Sequence, residues 1–250
     1  MHDHKTLAAA LVEARLTGAP VRAIAPADLD TAYAAQAHVG RALRWFDGVP
    51  RHWKSGGASR TALQTHAPLP PAGVWASPAD AQAWPFHWRG IEAEVALRLG
   101  EAVTAERAAT LDLDSARALV DAMAVSIEIV DSRWVEGQQA PPLARLADLQ
   151  SHGALVLGAW VPFDAQRDWS LQRCTVAIGL ASPQVFTGTH AMADPAFVLP
   201  AWLRHATRDG ATLPAGTVVT TGTWCGLPLA APGELVQVVF DGIGQARVQL

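Results

Sequence analysis

Residues 91–99 read IEAEVALRL, and this stretch decides the fold that the rest of the sequence supports. Apolar residues alternate with Glu92 and Glu94, which is the period-two pattern of a β-strand with one apolar face. The two glutamates therefore project from the same side of the strand. Ala96 continues that side with an apolar residue, so the pair does not belong to a longer polar stripe. An edge strand with a solvated face is the structural alternative.

The sequence after this strand is rich in further strands. Helices are predicted over 114–122, with Asp114 as a cap, and over 195–208, beginning at Pro195. Because strands outnumber helices and do not alternate with them, we expect an α+β fold with a mixed sheet rolled into a barrel or sandwich. The predicted strands are 91–99, 123–131, 154–162, 172–180, 216–221, 234–240 and 245–250.

The sequence before this strand has a different character. Alanine-rich segments with apolar positions three and four apart predict helices over 5–17 and 28–46. We expect residues 1–50 to form an N-terminal helical cap and residues 51–250 to form the catalytic domain. The stretch 51–90 is rich in Pro, Gly, Trp and His, which indicates a long loop region with one or two short strands.

The composition narrows the classes of function. The chain has 250 residues, of which 50% are hydrophobic and 17% charged, and a formal net charge of −4. Its basic residues are scattered, so we expect no nucleic-acid partner. No apolar run approaches the roughly 18 residues of a membrane span, and the two cysteines form no C-x-x-C motif. These features predict a cytoplasmic protein in a reducing compartment.

A third glutamate adds weight to the Glu92/Glu94 pair. Glu128 lies in the apolar segment AVSIEIVDSR, where a single unpaired carboxylate would be costly. An ion pair with Arg133 is the structural alternative, and Asp131 could take that arginine instead. Three carboxylates without a His or Cys cluster suit Mg²⁺ or Mn²⁺ rather than Zn²⁺.

Lys54 is unusual in a chain that prefers arginine. Only two of the 19 basic residues are lysines, Lys5 and Lys54, and the latter lies in the segment HWKSGG at 52–57. An ammonium group can lose its proton when desolvated, whereas a guanidinium group effectively cannot. Lys54 is therefore predicted to pair with a substrate carboxylate or to act as an acid or base with a lowered pKa. A surface lysine packed on Trp53 is the alternative.

A turn segment and three histidines are further candidates for the site, but ordinary structural roles explain them equally well or better. The segment TTGTWCG at 220–226 follows a predicted strand and could present hydroxyl and N–H groups to an anion, although a hairpin turn explains it equally well. His52, His66 and His152 lie near the candidate residues in sequence but have no metal-type spacing. We interpret them as loop or core residues.

Six short motifs then occur in the order typical of one family. From about residue 50 onward, the chain resembles the fumarylacetoacetate hydrolase superfamily, in its 2-keto-4-pentenoate hydratase and 4-oxalocrotonate decarboxylase branch. The motifs are WKSGG at 53–57, IEAEVA at 91–96, SIEIVDSR at 126–133, GALVLG at 153–158, DPAFVLPAWL at 194–203 and LPAGTVVTTGT at 213–223.

The resemblance implies a mixed β-roll fold and a metal site. Mg²⁺ or Mn²⁺ would be bound by Glu92, Glu94 and Glu128, with Asp131 as the fallback third ligand. Lys54 matches a lysine that serves in acid/base work or substrate binding. The predicted substrate-binding residues are Ser55, Arg133, Gly222 and Thr223, and Asp80 is a candidate for a further acidic residue.

The predicted function is a metal-dependent hydratase that acts on a small 2-keto or 2-hydroxydienoic acid through an enolate, in aromatic catabolism and as a homo-oligomer. A metal-dependent 2-keto acid decarboxylase or C–C hydrolase is the first alternative, and a hydrolase would favour a His–carboxylate pair. A non-catalytic relative or decarboxylase partner subunit is the second alternative. The family's hydratases more often carry G-x-K-x-G-L-T, whereas Ser-Gly-Gly-Ala-Ser follows the lysine here.

Overall fold

The computed structural model describes residues 3–250, which form two β-sheets and a set of helices. Three short 3₁₀ turns are Pro71–Gly73, Gly137–Gln139 and Pro195–Val198. The helices are α1 (His4–Thr17), α2 (Leu29–Ala42), α3 (Ala105–Thr110), α4 (Leu113–Arg117), α5 (Pro142–Ala147) and α6 (Leu199–Ala206). The strands are β1 (His52–Gly56), β2 (Thr65–Pro68), β3 (Val74–Ala76), β4 (Ala79–Asp80), β5 (Gly90–Leu99), β6 (Val120–Val130), β7 (His152–Leu157), β8 (Val161–Pro162), β9 (Arg173–Ile178), β10 (Gln184–Thr187), β11 (Val218–Thr220), β12 (Leu235–Phe240) and β13 (Gly244–Gln249).

The larger sheet is mixed and contains the segment 91–99. Its order is β2-β1-β11-β5-β6-β7-β3, and β8 pairs with β6 beside that path. β1 is parallel to β11, whereas β5 is antiparallel to both β11 and β6. The alternate residues Ile91 and Ala93 on β5 are fully buried, as the apolar face of the strand predicts.

The smaller sheet packs against the larger one and closes the core. Its order is β10-β9-β12-β13-β4. The two sheets approach closely where β7 ends, because a Cβ atom on Gly158 would lie 2.5 Å from the carbonyl oxygen of Gln245 on β13. Buried side chains of both sheets share one apolar cluster, including Val95 and Val238. The predicted α+β fold with a mixed, rolled sheet is confirmed.

Helices at the N-terminus form a second apolar cluster. α1 begins at the cap Asp3, whose carboxylate accepts the backbone N–H groups of Lys5 and Thr6, and it ends at Gly18 with φ of 67°. α1 and α2 pack with α5 and with Trp134, which donates its indole N–H to the Ala144 carbonyl at 2.9 Å. The helical character of the N-terminus is confirmed, and the domain boundary at residue 50 stays a prediction.

Several element boundaries differ from the sequence-based ones. The predicted helix over 114–122 is wrong after Arg117, because Asp112 and Ser115 cap a single helical turn and β6 begins at Val120. There the apolar residues pair with β5, and tertiary pairing outweighs helix propensity. The region 51–90 holds four short strands rather than one or two.

Within residues 3–250, none of the helices combines the length and the hydropathy that crossing a bilayer demands.

Candidate metal centre and active site

The register of β5 and β6 brings the three glutamates together. Glu92 lies directly opposite Glu128 in the antiparallel pair, and Glu94 lies opposite Ser126 on the same face. One carboxylate oxygen from each of Glu92, Glu94 and Glu128 lies within 4.8 Å of the others. Glu94 is 2% exposed and Glu128 is fully buried, so neither carboxylate is a solvated surface group.

The three carboxylates of this cluster repel one another unless a cation lies between them. Burial and the neighbouring carboxylates raise the pKa of Glu92 to about 8 and that of Glu94 to about 7. Burial opposes ionisation of Glu128 too, but Lys54 and His152 outweigh it and lower the pKa of that carboxyl. Glu128 Oε2 is buried and has no hydrogen-bond partner among residues 3–250. An unpartnered oxygen in an all-carboxylate cluster fits a divalent-cation ligand.

Lys54 lies on β1, where the parallel register places it beside Thr220 of β11. Its ammonium nitrogen is 2.6 Å from Glu128 Oε1 and 3.4 Å from the Gln150 carbonyl oxygen. Burial alone would lower the pKa of Lys54, but Glu128 and the other two glutamates outweigh burial and raise it. The prediction of a lowered pKa is therefore wrong for the metal-free protein. Lys54 donates a hydrogen bond to Glu128 in this arrangement.

Thr220 fixes the orientation of the second glutamate. Its hydroxyl donates to Glu94 Oε2 and lies 2.8 Å from the Ser126 hydroxyl. Thr220 is itself opposite Ala96 on β5, so it shares a face with Glu94 across the strand pair. The carboxylate is thus held by a side chain that belongs to the sheet rather than to a loop.

An open cleft of about 480 Å³ gives access to these groups. Its walls include Lys54, Glu92 and Glu94, whereas the fully buried Glu128 lies behind them. The cleft combines two acidic groups with a buried cation at its floor. That combination suits a small anionic ligand that binds a metal and exchanges a proton with a lysine.

Three predicted substrate-binding residues are Ser55, Gly222 and Thr223. The hydroxyl groups of Ser55 and Thr223 already form hydrogen bonds within the protein. The Ser55 hydroxyl is 2.8 Å from His66 Nδ1. Gly222 has φ of 104°, and the Thr223 hydroxyl donates to the Gly226 carbonyl while accepting the Cys225 N–H. All three predicted residues line the cleft, but the hydroxyl of Thr223 is used by its own turn.

The structure does not bring Arg133 or Asp131 to the cleft. The Arg133 guanidinium pairs with Asp148, with Nε 2.7 Å from Oδ1, and both Arg133 and Asp131 line a separate cavity. Asp131 accepts the backbone N–H of Trp88 at 2.9 Å. Glu128, rather than the fallback Asp131, completes the carboxylate cluster. Asp80 is exposed on β4 and accepts the Gln82 N–H, away from the cleft.

Sequence reasoning interpreted His152 as a loop or core residue and did not single out His190, but both lie near the site. His152 Nδ1 is 3.0 Å from Glu128 Oε1, because β7 pairs with β6 and places His152 beside Val130. His190 lines the cleft, and its Nε2 donates to the Thr221 carbonyl at 2.7 Å. No spacing signal could have found either one, since both contacts depend on long-range pairing.

Comparison with known proteins identifies the family. The family model described as fumarylacetoacetate (FAA) hydrolase C-terminal matches residues 46–250. The chain belongs to this family. The resemblance noted from the sequence motifs is confirmed, and Lys54 together with the three glutamates falls within the matched residues.

The chain is also similar to 2-keto-4-pentenoate hydratase 1 of Dechloromonas aromatica (strain RCB). It is 33% identical over 156 residues, which cover 62% of this chain and 57% of the relative. The chain thus matches little more than half of that hydratase's length.

The solved structures that share the fold include a decarboxylase and an isomerase. The 4-oxalocrotonate decarboxylase from Pseudomonas putida G7, complexed with calcium and acetate, has a TM-score of 0.81 and 17% identity, covering 100% of this chain and 98% of its own. The 5-carboxymethyl-2-hydroxymuconate delta-isomerase from Mycobacterium smegmatis has a TM-score of 0.51 and 15% identity, covering 80% of this chain and 78% of its own. The match that covers the whole chain includes the N-terminal helices.

Proposed function

We propose that this chain is a divalent-metal-dependent hydratase that adds water to a small 2-hydroxydienoic acid or its 2-keto tautomer. One observation carries the proposal: three buried or half-buried glutamates converge within 4.8 Å beside a lysine in an accessible cleft. The hydratase of Dechloromonas aromatica supports the choice of reaction. Aromatic-compound catabolism in the cytoplasm is the setting that we infer for it.

The donor set decides which cofactor suits the site. Glu92, Glu94 and Glu128 offer only carboxylate oxygens, which hard cations such as Mg²⁺ and Mn²⁺ prefer. A bound divalent ion would act as a Lewis acid that stabilises negative charge developing at the 2-keto oxygen of the substrate. The strand-borne positions of the glutamates hold the ligand oxygens in place without help from a flexible loop.

Lys54 is the group that we assign to proton transfer. Lys54 lines the cleft, so it can give a proton to a carbon of the dienol and recover one from the adding water. Glu128 holds the ammonium group at 2.6 Å and thereby fixes its position. Positioned acid–base groups of this kind typically accelerate reactions by about 10²–10⁴-fold.

The position of His152 favours a hydratase over a C–C hydrolase. A hydrolase needs a base that activates water next to the substrate carbonyl. His152 does pair with Glu128, but it lines the separate cavity and not the cleft. His152 therefore orients Glu128 and does not activate a water molecule in the cleft.

The test of this proposal combines metal binding with turnover. We expect Glu92→Gln to abolish Mn²⁺ binding in calorimetry and hydration of 2-hydroxypenta-2,4-dienoate together. Glu13→Gln, which removes one exposed carboxylate on α1, is the matched control and should keep both. Hydration that persists in Glu92→Gln after treatment with a chelator would refute the site.

The same experiment separates the alternative functions. Release of CO₂ from a 2-keto acid would assign a decarboxylase, and acid fragments would assign a C–C hydrolase. Metal binding without turnover of any 2-keto acid in a broad panel would assign a non-catalytic relative or partner subunit. Only a hydrated product agrees with the proposed reaction.

A further inference from the structure

The separate cavity has a volume of about 330 Å³ and lies where the N-terminal helices meet the larger sheet. It is lined by residues of α1 and of the segment after α2, together with residues of β7. Its volume is within the range of small-molecule sites. His152 lines this cavity, and its Nδ1 is 3.0 Å from Glu128 Oε1. A ligand there would lie one side chain away from the carboxylate cluster.

Two arginines line this cavity, and each has a free donor. Arg15 Nη2 and Arg133 Nε both donate to Asp148 Oδ1, at 2.9 Å and 2.7 Å, so the two guanidinium groups are neighbours. Their Nη1 atoms form no hydrogen bond among residues 3–250, and both are accessible to solvent, in contrast to the buried Arg15 Nε. Because Arg133 as a whole is only 5% exposed, its Nη1 is accessible from the cavity.

The aspartates beside these arginines do not supply the missing acceptors. Asp131 lines the cavity, but its Oδ2 is 3.8 Å from Arg133 Nη1, which is too far for a hydrogen bond. Its Oδ1 accepts the backbone N–H groups of Trp88 and Ser132 at 2.9 Å and 3.0 Å. Burial and the nearby Arg133 lower the pKa of Arg15 to about 10. The two guanidinium groups therefore still repel each other, and a bound anion would relieve that repulsion.

Aromatic side chains form walls of the cavity beside these donors. The Trp45 ring lies next to the Arg15 guanidinium, with 4.8 Å between the guanidinium carbon and the ring centroid. Trp84 also lines the cavity, and its ring packs edge-on against Trp75 with the centroids 5.0 Å apart. Indole rings pack well against other aromatic rings. These walls therefore favour a ligand that carries an aromatic ring.

We propose that this cavity is a second binding site, which takes a small aromatic carboxylate such as benzoate. The carboxylate would accept hydrogen bonds from Nη1 of Arg15 and Nη1 of Arg133, and the ring would pack against Trp45 and Trp84. A planar guanidinium with a free N–H edge suits a carboxylate better than a point charge does. The inference does not depend on the proposed reaction, because the cleft and this cavity share no lining residue within the described part of the chain.

The test uses three ligands that separate the ring from the charge. Benzoate has both groups, acetate has only the carboxylate and benzyl alcohol has only the ring. Isothermal titration calorimetry on the full chain, with and without saturating Mg²⁺, measures the three affinities. We expect benzoate to bind at least about 10-fold more tightly than either of the others, because both the charge-assisted hydrogen bonds and the ring contacts contribute.

Three variants show whether benzoate binds in this cavity. Arg15→Gln should weaken benzoate binding by about 10-fold, and Arg133 still pairs with Asp148 in this variant. Trp45→Leu keeps both arginines and should weaken the binding of benzoate but not that of acetate. Arg22→Gln removes an exposed arginine between α1 and α2 that does not line the cavity, and this control should keep the affinity.

The outcomes decide for or against the second site. Benzoate binding that is weakened in Arg15→Gln and in Trp45→Leu but kept in Arg22→Gln supports it. Benzoate that binds no more tightly than acetate and benzyl alcohol overturns it. Binding that requires Mg²⁺ and persists in Arg15→Gln would place benzoate at the metal in the cleft, which overturns the second site as well.

Discussion

Glu128 lies between two partners that compete for one of its oxygens. Lys54 Nζ and His152 Nδ1 both approach Oε1, at 2.6 Å and 3.0 Å, while Oε2 is left without a partner among residues 3–250. A fully buried carboxylate in an apolar strand is tolerated only with such compensation. The arrangement keeps the charge of Glu128 and leaves one oxygen for a cation.

Replacing Lys54 with methionine should separate proton transfer from metal binding. We expect Lys54→Met to lower kcat by about 10²–10⁴-fold while Mn²⁺ still binds, because Glu128 keeps its free oxygen. Steady-state kinetics and Mn²⁺ calorimetry measure the two effects. Lys5→Met replaces the other lysine, which is exposed on α1, and serves as the control. Unchanged kcat in Lys54→Met would rule out its assigned role.

The raised pKa of Glu92 predicts how the stability of the metal-free protein depends on pH. This pKa is about 8 in the folded protein against a model value of 4.5, so the folded state retains a proton that the unfolded chain has released. The resulting contribution to stability is lost as the pH rises towards 8. Buried imidazoles such as His66, with a pKa of about 3, act oppositely but only below about pH 6.5.

Urea unfolding between pH 7 and 8.5 isolates this effect. The free energy of unfolding of the metal-free protein should fall over that range, and Glu92→Gln should make the fall smaller. Glu94 and the buried thiols of Cys174 and Cys225 contribute the remainder. Saturating Mg²⁺ should also make the fall smaller, because a bound cation keeps the carboxylate ionised in the folded state. A pH dependence that is identical in the parent and in Glu92→Gln would show that Glu92 is ionised throughout.

The sequence predicted the glutamates and Lys54 because each breaks a local rule. Glu128 is a charge in an apolar run, and Lys54 is a lysine where arginine is the usual cation. The contacts of His152 break no such rule, since they arise from strand pairing. Arg133 illustrates the limit: its partner Asp148 lies outside the motif that suggested its role.

At the level of elements, long strands were easier to predict than short ones. β5 agrees with the expected strand at 91–99 to within a residue, because its alternation extends over the whole segment. The short strands β1 to β4 have little pattern of their own. β1, β3 and β4 pair with β11, β7 and β13, and β2 pairs with β1. The wrong prediction of a helix over 114–122 also results from strand pairing, because the end of that segment pairs with β5.

The contact between the two sheets yields a prediction about Gly158. A Cβ atom there would lie 2.5 Å from the Gln245 carbonyl oxygen and 3.1 Å from that of Val125, and both are backbone atoms. Gly158→Ala should therefore destabilise the protein by about 1–3 kcal/mol, as overpacking does. Gly48→Ala, where the added Cβ meets nothing within 4 Å, is the matched control. Urea unfolding of equal stability for both variants would contradict the close approach.

At the scale of the whole molecule, strand order creates the site. β1, β11, β5 and β6 are neighbours in the sheet although their residues span positions 52 to 220 of the chain. Lys54, Thr220, Glu94 and Glu128 come from these four adjacent strands. Sequence patterns give the period of each strand but not its neighbours, so the convergence could be expected only through the family resemblance.

The assembly state is also a property of the whole molecule. A homo-oligomer stays a prediction from the sequence, and light scattering coupled to size-exclusion chromatography measures it directly. We expect a particle mass of at least two chains of 26.4 kDa each. A mass of a single chain at micromolar concentration would contradict that expectation without affecting the proposed chemistry, because every residue assigned to the cleft comes from one chain.

The most direct test of the metal centre is anomalous diffraction from crystals soaked in Mn²⁺. The account predicts one strong peak in contact with carboxylate oxygens of Glu92, Glu94 and Glu128. The same soak of Glu92→Gln crystals should show no peak there. A peak elsewhere in the molecule, with none at the three glutamates, would contradict the account.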